Sequence, residues 1–586
     1  MNFTDYRKLP LDESWDAIII GSGIGGLSAA ALLSRYTEKR VLVLERHYVP
    51  GGFTHVFHRR GYEWDVGVHY VGETHKKEGM LRRAFDFITN DQLEWAPMPD
   101  IYDRVLIADR SYDYVRGVER FRARLKDYFP GESAAIDAYI KAVQAASLAI
   151  ERFVIEKSIP TPIAFVVGGL LRKPFLRWAK RTTADVLSGL TTNKELIGVL
   201  TAQWPDYGLP PQQSSFGIHA LIANHYFDGA NYPVGGASRI ADGVAPVIAK
   251  SGGTIAVNAE VAAILVRRNK AVGVRMSDGR ELFAKAIISD VGARRTFEDL
   301  LVESTPSVER LRGDFRSIPP SVAHICLYVG VKATASQLGL SGTNLWVHPT
   351  FDHDANFRRI QSDPTAPFSY LYFSFPSAKD PDFERRHPGR CTVEAATVAP
   401  FDWFERWNGT QWRARGEEYE AFKTSLSTRV QRALEQYVPA LSGEIDYCEL
   451  STPLSTQHFM NHRHGEPYGM SVTPARFNLR SLRPKTPIAN LYLTGQDVVT
   501  LGVAGALAGG VATASLLLRR NIPAELSKPV KNKAQLFHCA KGQPPHELLL
   551  CQPSEHHNGR HSQERRGRKL CPEKALRTRI GSDEHR

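Results

Sequence analysis

Apolar residues along this chain fall into two rhythms. Short unbroken runs bounded by glycine or charge predict strands buried on both faces, and longer stretches with apolar residues three and four apart predict helices. Residues 16–20 form a run that ends in glycines, and residues 40–44 (RVLVL) form a second. Between them, residues 27–36 are rich in Ala and Leu and predict a helix. Strand, glycine turn, helix and strand follow one another within about 30 residues, the order of a βαβ unit. Further strands are predicted at 253–257, 261–267, 270–276, 281–288, 324–329 and 391–398, with Asp278 and Gly279 as a hairpin signal. Helices are predicted at 134–155, 235–250 and 417–437. Near the C-terminus a strand at 491–494 runs into a glycine-rich helix at 502–519. Beyond 522 the periodicity stops, and Lys, Arg, His, Gln and Pro dominate; residues 523–586 are expected to be a disordered basic tail.

Composition adds bounds. At 586 residues, 42% hydrophobic and 23% charged, the chain is expected to fold as more than one globular domain. The net charge of +12 suggests a nucleic-acid partner until it is located. Residues 527–586 hold 13 Lys/Arg against 6 Asp/Glu, which leaves the body only mildly basic, and no nucleic-acid partner is expected. The six cysteines include no CxxC pair, so neither a disulfide framework nor a metal site is expected. Residues 1–15 lack the apolar core of a secretory signal, and no run nears the ~18 apolar residues of a spanning helix. A cytoplasmic location is expected, with one qualification. Residues 163–181 (IAFVVGGLLRKPFLRWAKR) place an apolar block before Arg172, Lys173, Arg177, Lys180 and Arg181. Such a segment suits either a lid over a cavity or a peripheral contact with the inner face of a membrane, cations on lipid phosphates. Pro174 predicts a break within it.

The turn after the first strand carries the chemistry. Gly21, Gly23 and Gly26 complete a G-x-G-x-x-G motif, with Gly25 beside them. The first glycine permits the tight turn, the second lets a pyrophosphate approach the backbone, and the third lets helix pack on strand. The helix N-terminus then offers N–H groups and a positive dipole end to phosphate. Glu45 ends the second strand 22 residues beyond Gly23, where a carboxylate can accept the ribose hydroxyls of an adenosine half. FAD and NAD share this fingerprint.

Segments further along narrow the choice. Arg46 opens a loop that ends in Gly51–Gly52, and Gly61-Tyr-Glu-Trp-Asp65-Val-Gly67 follows. Tyr232-Pro-Val-Gly235-Gly236 precedes a helix, and Gly252–Gly253 leads to Val261. With the segment LYLTGQDVVTLGVAGALAGG near the C-terminus, the chain resembles the flavoprotein superfamily of amine oxidases and phytoene desaturases. Within it, HRRGYEWDVGVHYVG and LYLTGQD resemble the retinol saturase and carotenoid isomerase branch, over roughly residues 15–522. The resemblance implies FAD as cofactor, held by Gly21, Gly23, Gly25, Gly26, Glu45, Arg46, Gly51, Gly52, Val261, Gly495, Asp497 and Gly505. It implies that Val261 meets adenine through its backbone and that Asp497 binds the ribityl–pyrophosphate region.

The implied fold is α/β: a discontinuous Rossmann-like FAD-binding domain with an inserted α+β substrate domain. Its FAD-binding parts fall at 1–110, 216–300 and 476–522, a helical substrate or lid segment at 111–215, and a mixed-sheet substrate domain at 301–475. The implied substrate is a long apolar isoprenoid or polyene, reduced at a C=C bond. Desaturation and cis-trans isomerisation are the alternatives, and amine oxidation or cofactor-bound lipid carriage are remoter ones. A flavin moves a hydride at N5, and the protein supplies orientation and protons. His69 and Tyr70, directly after the D-x-G segment, are the candidate proton donors, and His219, His225 and Tyr226 form a second group. The chain has no second G-x-G-x-x-G, so the electron donor is left open.

Overall fold

A computed structural model describes residues 3–10 and 14–527. The predicted βαβ unit forms as Trp15–Ile20, helix Ile24–Thr37 and Val41–Leu44. The two strands pair in parallel, Ile18 opposite Leu42. Both are buried on their two faces, which explains why they read as unbroken apolar runs rather than alternating ones. Thr254–Val257 and the short strand Thr4–Asp5 extend the sheet on one side, and Glu281–Ser289 extends it on the other. Leu491–Leu493 then adds in parallel beside Glu281–Ser289. One sheet is thus built from stretches of chain hundreds of residues apart. Val261–Arg267 and Lys270–Met276 complete it as an antiparallel ribbon. The α/β, discontinuous Rossmann-like architecture is as expected.

A second sheet of seven strands runs Ile445–Ser451, His324–Val331, Cys391–Val398, Leu371–Ser374, Asn344–His348, Ile101–Ile107, Arg110–Val115. It is antiparallel except for one parallel pair, Asn344–His348 with Ile101–Ile107. Helices Ser133–Ser158, Thr161–Ala179 and Phe216–Tyr226 pack together and share a core with this sheet. The Rossmann-like sheet has its own core on each face.

Two expectations are corrected. Thr161–Ala179 is a single helix that continues through Pro174. Proline there removes one N–H, whose acceptor would be the carbonyl of Leu170, and Leu170 lies on the exposed face where water can serve it. The folded chain also passes residue 522: Ile522–Ser527 is a helix with Ile522, Pro523 and Leu526 buried. The expectation of a disordered tail otherwise falls on 528–586, outside the described residues. Among the described residues no helix is long and apolar enough to cross a membrane.

Candidate dinucleotide and substrate site

The glycine turn sits at the ends of the parallel strands. Gly21 adopts φ +95°, and its N–H donates to the Leu44 carbonyl at 2.9 Å. Ser22 donates to Glu45 Oε2 from its backbone (2.9 Å) and from its hydroxyl (2.6 Å), while His47 N–H holds Oε1 at 2.8 Å. Glu45 is therefore fixed at the mouth of the cradle, with lone pairs left for ribose hydroxyls. Gly51 N–H donates to the Ser22 hydroxyl and Gly52 lies against Gly23, so the second Gly pair closes over the first. Gly21, Gly23, Gly25, Glu45, Arg46, Gly51, Gly52 and Val261 all line one long cavity. Arg46 also reaches across it to donate to the Phe459 carbonyl at 3.0 Å.

The remaining expected residues do not line that cavity. Gly26 packs under the turn against the Gly21 carbonyl. Gly495 lies against Gly25 and Gly509, where the helix Gly502–Leu518 passes close to Ile24–Thr37. Gly505 is pressed against Thr500. Asp497 accepts Ala293 N–H at 2.8 Å and stands beside the buried guanidinium of Arg476. Its neighbour Gln496 lines the cavity instead. Asp290, which sequence reasoning missed, lies beneath Gly23 and Gly26, accepts their N–H groups and also lines the cavity. Burial, with Glu45 and Asp497 nearby, pushes it up to about 8.

The far end of the cavity is aromatic, walled by Trp346, Tyr370 and Tyr372 with His69, Asp206 and His324 among them. A second, largely apolar cavity meets it between Ser133–Ser158, Phe216–Tyr226 and Gly502–Leu518. The two share Gly67, His69, Asp206, Tyr468, Gly502 and Val503 in their walls. The second cavity reaches Leu148 and Met80, both exposed at the surface.

His69 sits at this junction and Tyr70 beside it in the wall of the apolar cavity, with different bonding. His69 Nδ1 is 2.7 Å from Glu394 Oε2, and Glu394 Oε1 accepts Asp65 N–H at 2.9 Å. Tyr232 donates to Asp65 beyond it, and Lys379 Nζ donates to the His69 carbonyl at 3.0 Å. Burial, and next the Lys379 charge, lowers His69 to about 4, so it is a neutral imidazole. Burial raises Glu394 to about 8. The Tyr70 hydroxyl is buried between Asp103 and Asp206. His219 is sealed between Tyr139 and Tyr207, away from both cavities, and burial lowers it to about 3. His225 lines the apolar cavity and its ring accepts Gly72 N–H at 2.8 Å. Tyr226 lines the same cavity, its ring stacked on Tyr70. Glu394, Asp103 and Asp206 carry no local signal in the sequence that marks them as buried.

Residues 19–87 match the family described as "NAD(P)-binding Rossmann-like domain". An all-trans-retinol 13,14-reductase of Danio rerio is 37% identical over 544 residues, covering 89% of this chain and 89% of that protein. The chain belongs to the all-trans-retinol 13,14-reductase family. A more distant relative, prolycopene isomerase 1 of an Oncidium hybrid cultivar, is 27% identical over 88% of this chain and 86% of its own. The fold is that of wild-type putrescine oxidase, at a TM-score of 0.57 and 14% identity over 87% of this chain and 100% of that one. As a member of the reductase family the chain is an oxidoreductase enzyme, and its Rossmann-like unit is a dinucleotide cradle. A Cβ at Gly23 or Gly25 would fall 2.6 Å or less from Asp290 or Gly495, so only glycine lets the turn pack this closely, and its bare backbone with Glu45 at the mouth fits the phosphate and ribose groups of such a cofactor.

Proposed function

We propose that this protein is an FAD-dependent oxidoreductase that saturates a C=C bond in a retinoid-like polyene. The observation that carries the reading is the junction of the two cavities. A glycine-floored cradle runs into an aromatic chamber, and the chamber meets an apolar channel that reaches the surface. A flat, rigid, apolar chain suits such walls, and a dinucleotide cofactor held in the cradle would border the chamber. Gly21, Gly23, Gly25 and Gly52 would hold the pyrophosphate, and Glu45 and Val261 the adenosine half. Bound FAD supplies hydride chemistry at N5. The chain's own residues orient the polyene against the contacting rings of Trp346 and Tyr372, exclude water, and move a proton. His69, a neutral imidazole held in one orientation by Glu394, shapes the chamber wall beside the reacting carbons.

The test is a single turnover. Protein purified with its chromophore is reduced anaerobically and mixed with all-trans-retinol. Reoxidation of the flavin together with a product two hydrogens heavier is expected. A flavin that stays reduced, with retinol recovered unchanged, overturns the reading. The likeness to a prolycopene isomerase supports a second reading, cis-trans isomerisation, which predicts a rearranged product of unchanged mass with no net oxidation of the flavin.

The channel also suggests where substrate comes from. Helix Thr161–Ala179 presents Phe165, Val166 and Leu170 to the outside, exposed by 81%, 79% and 77%, with Leu148 of the adjoining helix exposed by 76%. The second half of the same helix and the residues after it expose Lys173, Arg177, Lys180 and Arg181. An apolar face flanked by cations, with no acidic residue on the helix, suits a peripheral contact with an anionic lipid surface.

A further inference from the structure

Asp206 belongs to the turn Trp204–Tyr207 and lines both cavities, so its carboxyl opens onto their junction while remaining inside the molecule. Asp103, on Ile101–Ile107, is fully buried beside it. The Tyr70 hydroxyl stands between the two, 3.1 Å from Asp103 Oδ2 and 3.1 Å from Asp206 Oδ2. A phenol has one proton to donate. It serves one carboxylate, and the other contact needs a proton of its own.

The neighbouring donors decide which. Asp103 accepts Gln203 Nε2 at 2.7 Å and Asn344 Nδ2 at 2.8 Å, one on each oxygen. Among the hydrogen bonds of the described residues, the Asp206 carboxyl has only Tyr70. Two adjacent enclosed carboxyls do not both ionise. The negative charge therefore rests on Asp103, where three donors hold it, and Tyr70 donates there. Asp206 keeps the proton and donates to the Tyr70 oxygen. Burial first, and the charge of Asp103 second, push Asp206 up to about 8, in the same sense. The phenols that face it, Tyr226, Tyr370, Tyr372 and Tyr468, are raised by burial and stay neutral. His69, its neighbour in the cavity wall, is neutral and is a poor source of a proton.

We propose that Asp206 is the acid that protonates the polyene, with Tyr70 and Asp103 as positioning residues that keep it protonated. The inference rests on the alkene-reduction reading above. Saturation adds a hydride to one carbon of the double bond and a proton to the other. The hydride comes from a donor of the dihydroflavin class, which is oxidised as the alkene is reduced. The π pair takes the proton: a C–H bond forms as the Asp206 O–H bond breaks. Tyr70 can then turn its hydrogen bond toward the new carboxylate, and a solvent proton restores the acid.

Two measurements test this. Infrared difference spectroscopy, flavin-loaded wild type minus Asp206→Asn, titrated across pH 8, is expected to show one protonated-carboxyl band that titrates there, since Asp65, Asp290 and Glu394 contribute equally to both proteins and cancel. Asparagine copies the size and neutrality of the acid, so fold and flavin content are expected to survive. Single turnover of reduced protein with all-trans-retinol in D2O is expected to leave one solvent deuterium on the product. Its rate should fall as pH rises through about 8, should drop about 100-fold or more in Asp206→Asn, and should recover in part in Asp206→Glu. Asp206→Asn that turns over within about threefold of the wild type, or a difference spectrum with no protonated-carboxyl band, overturns the proposal. If the wild type forms no saturated retinol, the alkene-reduction reading falls and the proton-donor role falls with it, whereas the infrared band still reports separately whether Asp206 is held as an acid.

Discussion

A methyl group added at Gly25 has nowhere to go. Its Cβ would lie 2.4 Å from Gly495 Cα and 2.5 Å from Asp290 Oδ1, and backbone cannot swing aside as a side-chain tip can. Gly25→Ala is expected to destabilise the protein by about 1–3 kcal/mol through overpacking and to reduce the flavin it retains. Gly131→Ala, with nothing within 4 Å, is the control, and equal unfolding midpoints for the two variants would remove this account. At this scale the glycines were legible because their spacing is local and only one backbone geometry needs it. Asp290, Asp206, Asp103 and Glu394 were not legible. An acid in a sequence looks the same whether it faces water or an aromatic wall. Asp497 shows the converse limit: the resemblance marked the position, and packing turned its carboxyl toward Ala293 and Arg476.

The helix Thr161–Ala179 and its partner Ser133–Ser158 pack as a hairpin that exposes Leu148, Phe165, Val166 and Leu170. Phe165→Glu with Leu170→Glu is expected to abolish flotation with anionic vesicles and to leave the thermal midpoint unchanged, since both side chains already stand in solvent. High salt is expected to weaken binding of the wild type, because the flanking cations act through a screened field. Wild-type protein that stays with the pellet fraction in every vesicle composition would eliminate the membrane contact. Several predicted elements match closely, including 270–276, 391–398 and 417–437, whereas Ile101–Ile107, Arg110–Val115, Asn344–His348 and Leu371–Ser374 of the second sheet were not predicted. The break expected at Pro174 does not occur, because proline costs a helix most when the freed carbonyl is buried, and that burial depends on the neighbouring helix.

Across the whole molecule, buried titratable groups set the dependence of stability on pH. Asp65, Asp206, Asp290 and Glu394 are all raised to about 8, chiefly by burial. Between their ordinary range and pH 8 the unfolded chain binds fewer protons than the folded one, so these groups remove stability as pH rises. His55, His69, His324 and His353, lowered to about 4 by burial, act in the opposite sense, but only from there up to the ordinary histidine value near 6.5. Lys157, lowered to about 7, offsets one of the acids above that pH. Resistance to urea is therefore expected to fall between pH 6.5 and 8, and to fall less in Asp206→Asn. A flat or rising profile over that interval would contradict these assignments. By itself the sequence determined the Rossmann-like unit, its cradle and the branch of flavoproteins it resembles, because a βαβ turn is encoded within a few dozen contiguous residues. Only the tertiary structure decided what stands at the reacting end. Tyr70 meets Asp206 across 136 positions and His69 meets Glu394 across 325, and which acids lose their water there depends on how two sheets and a helical layer close around one cavity.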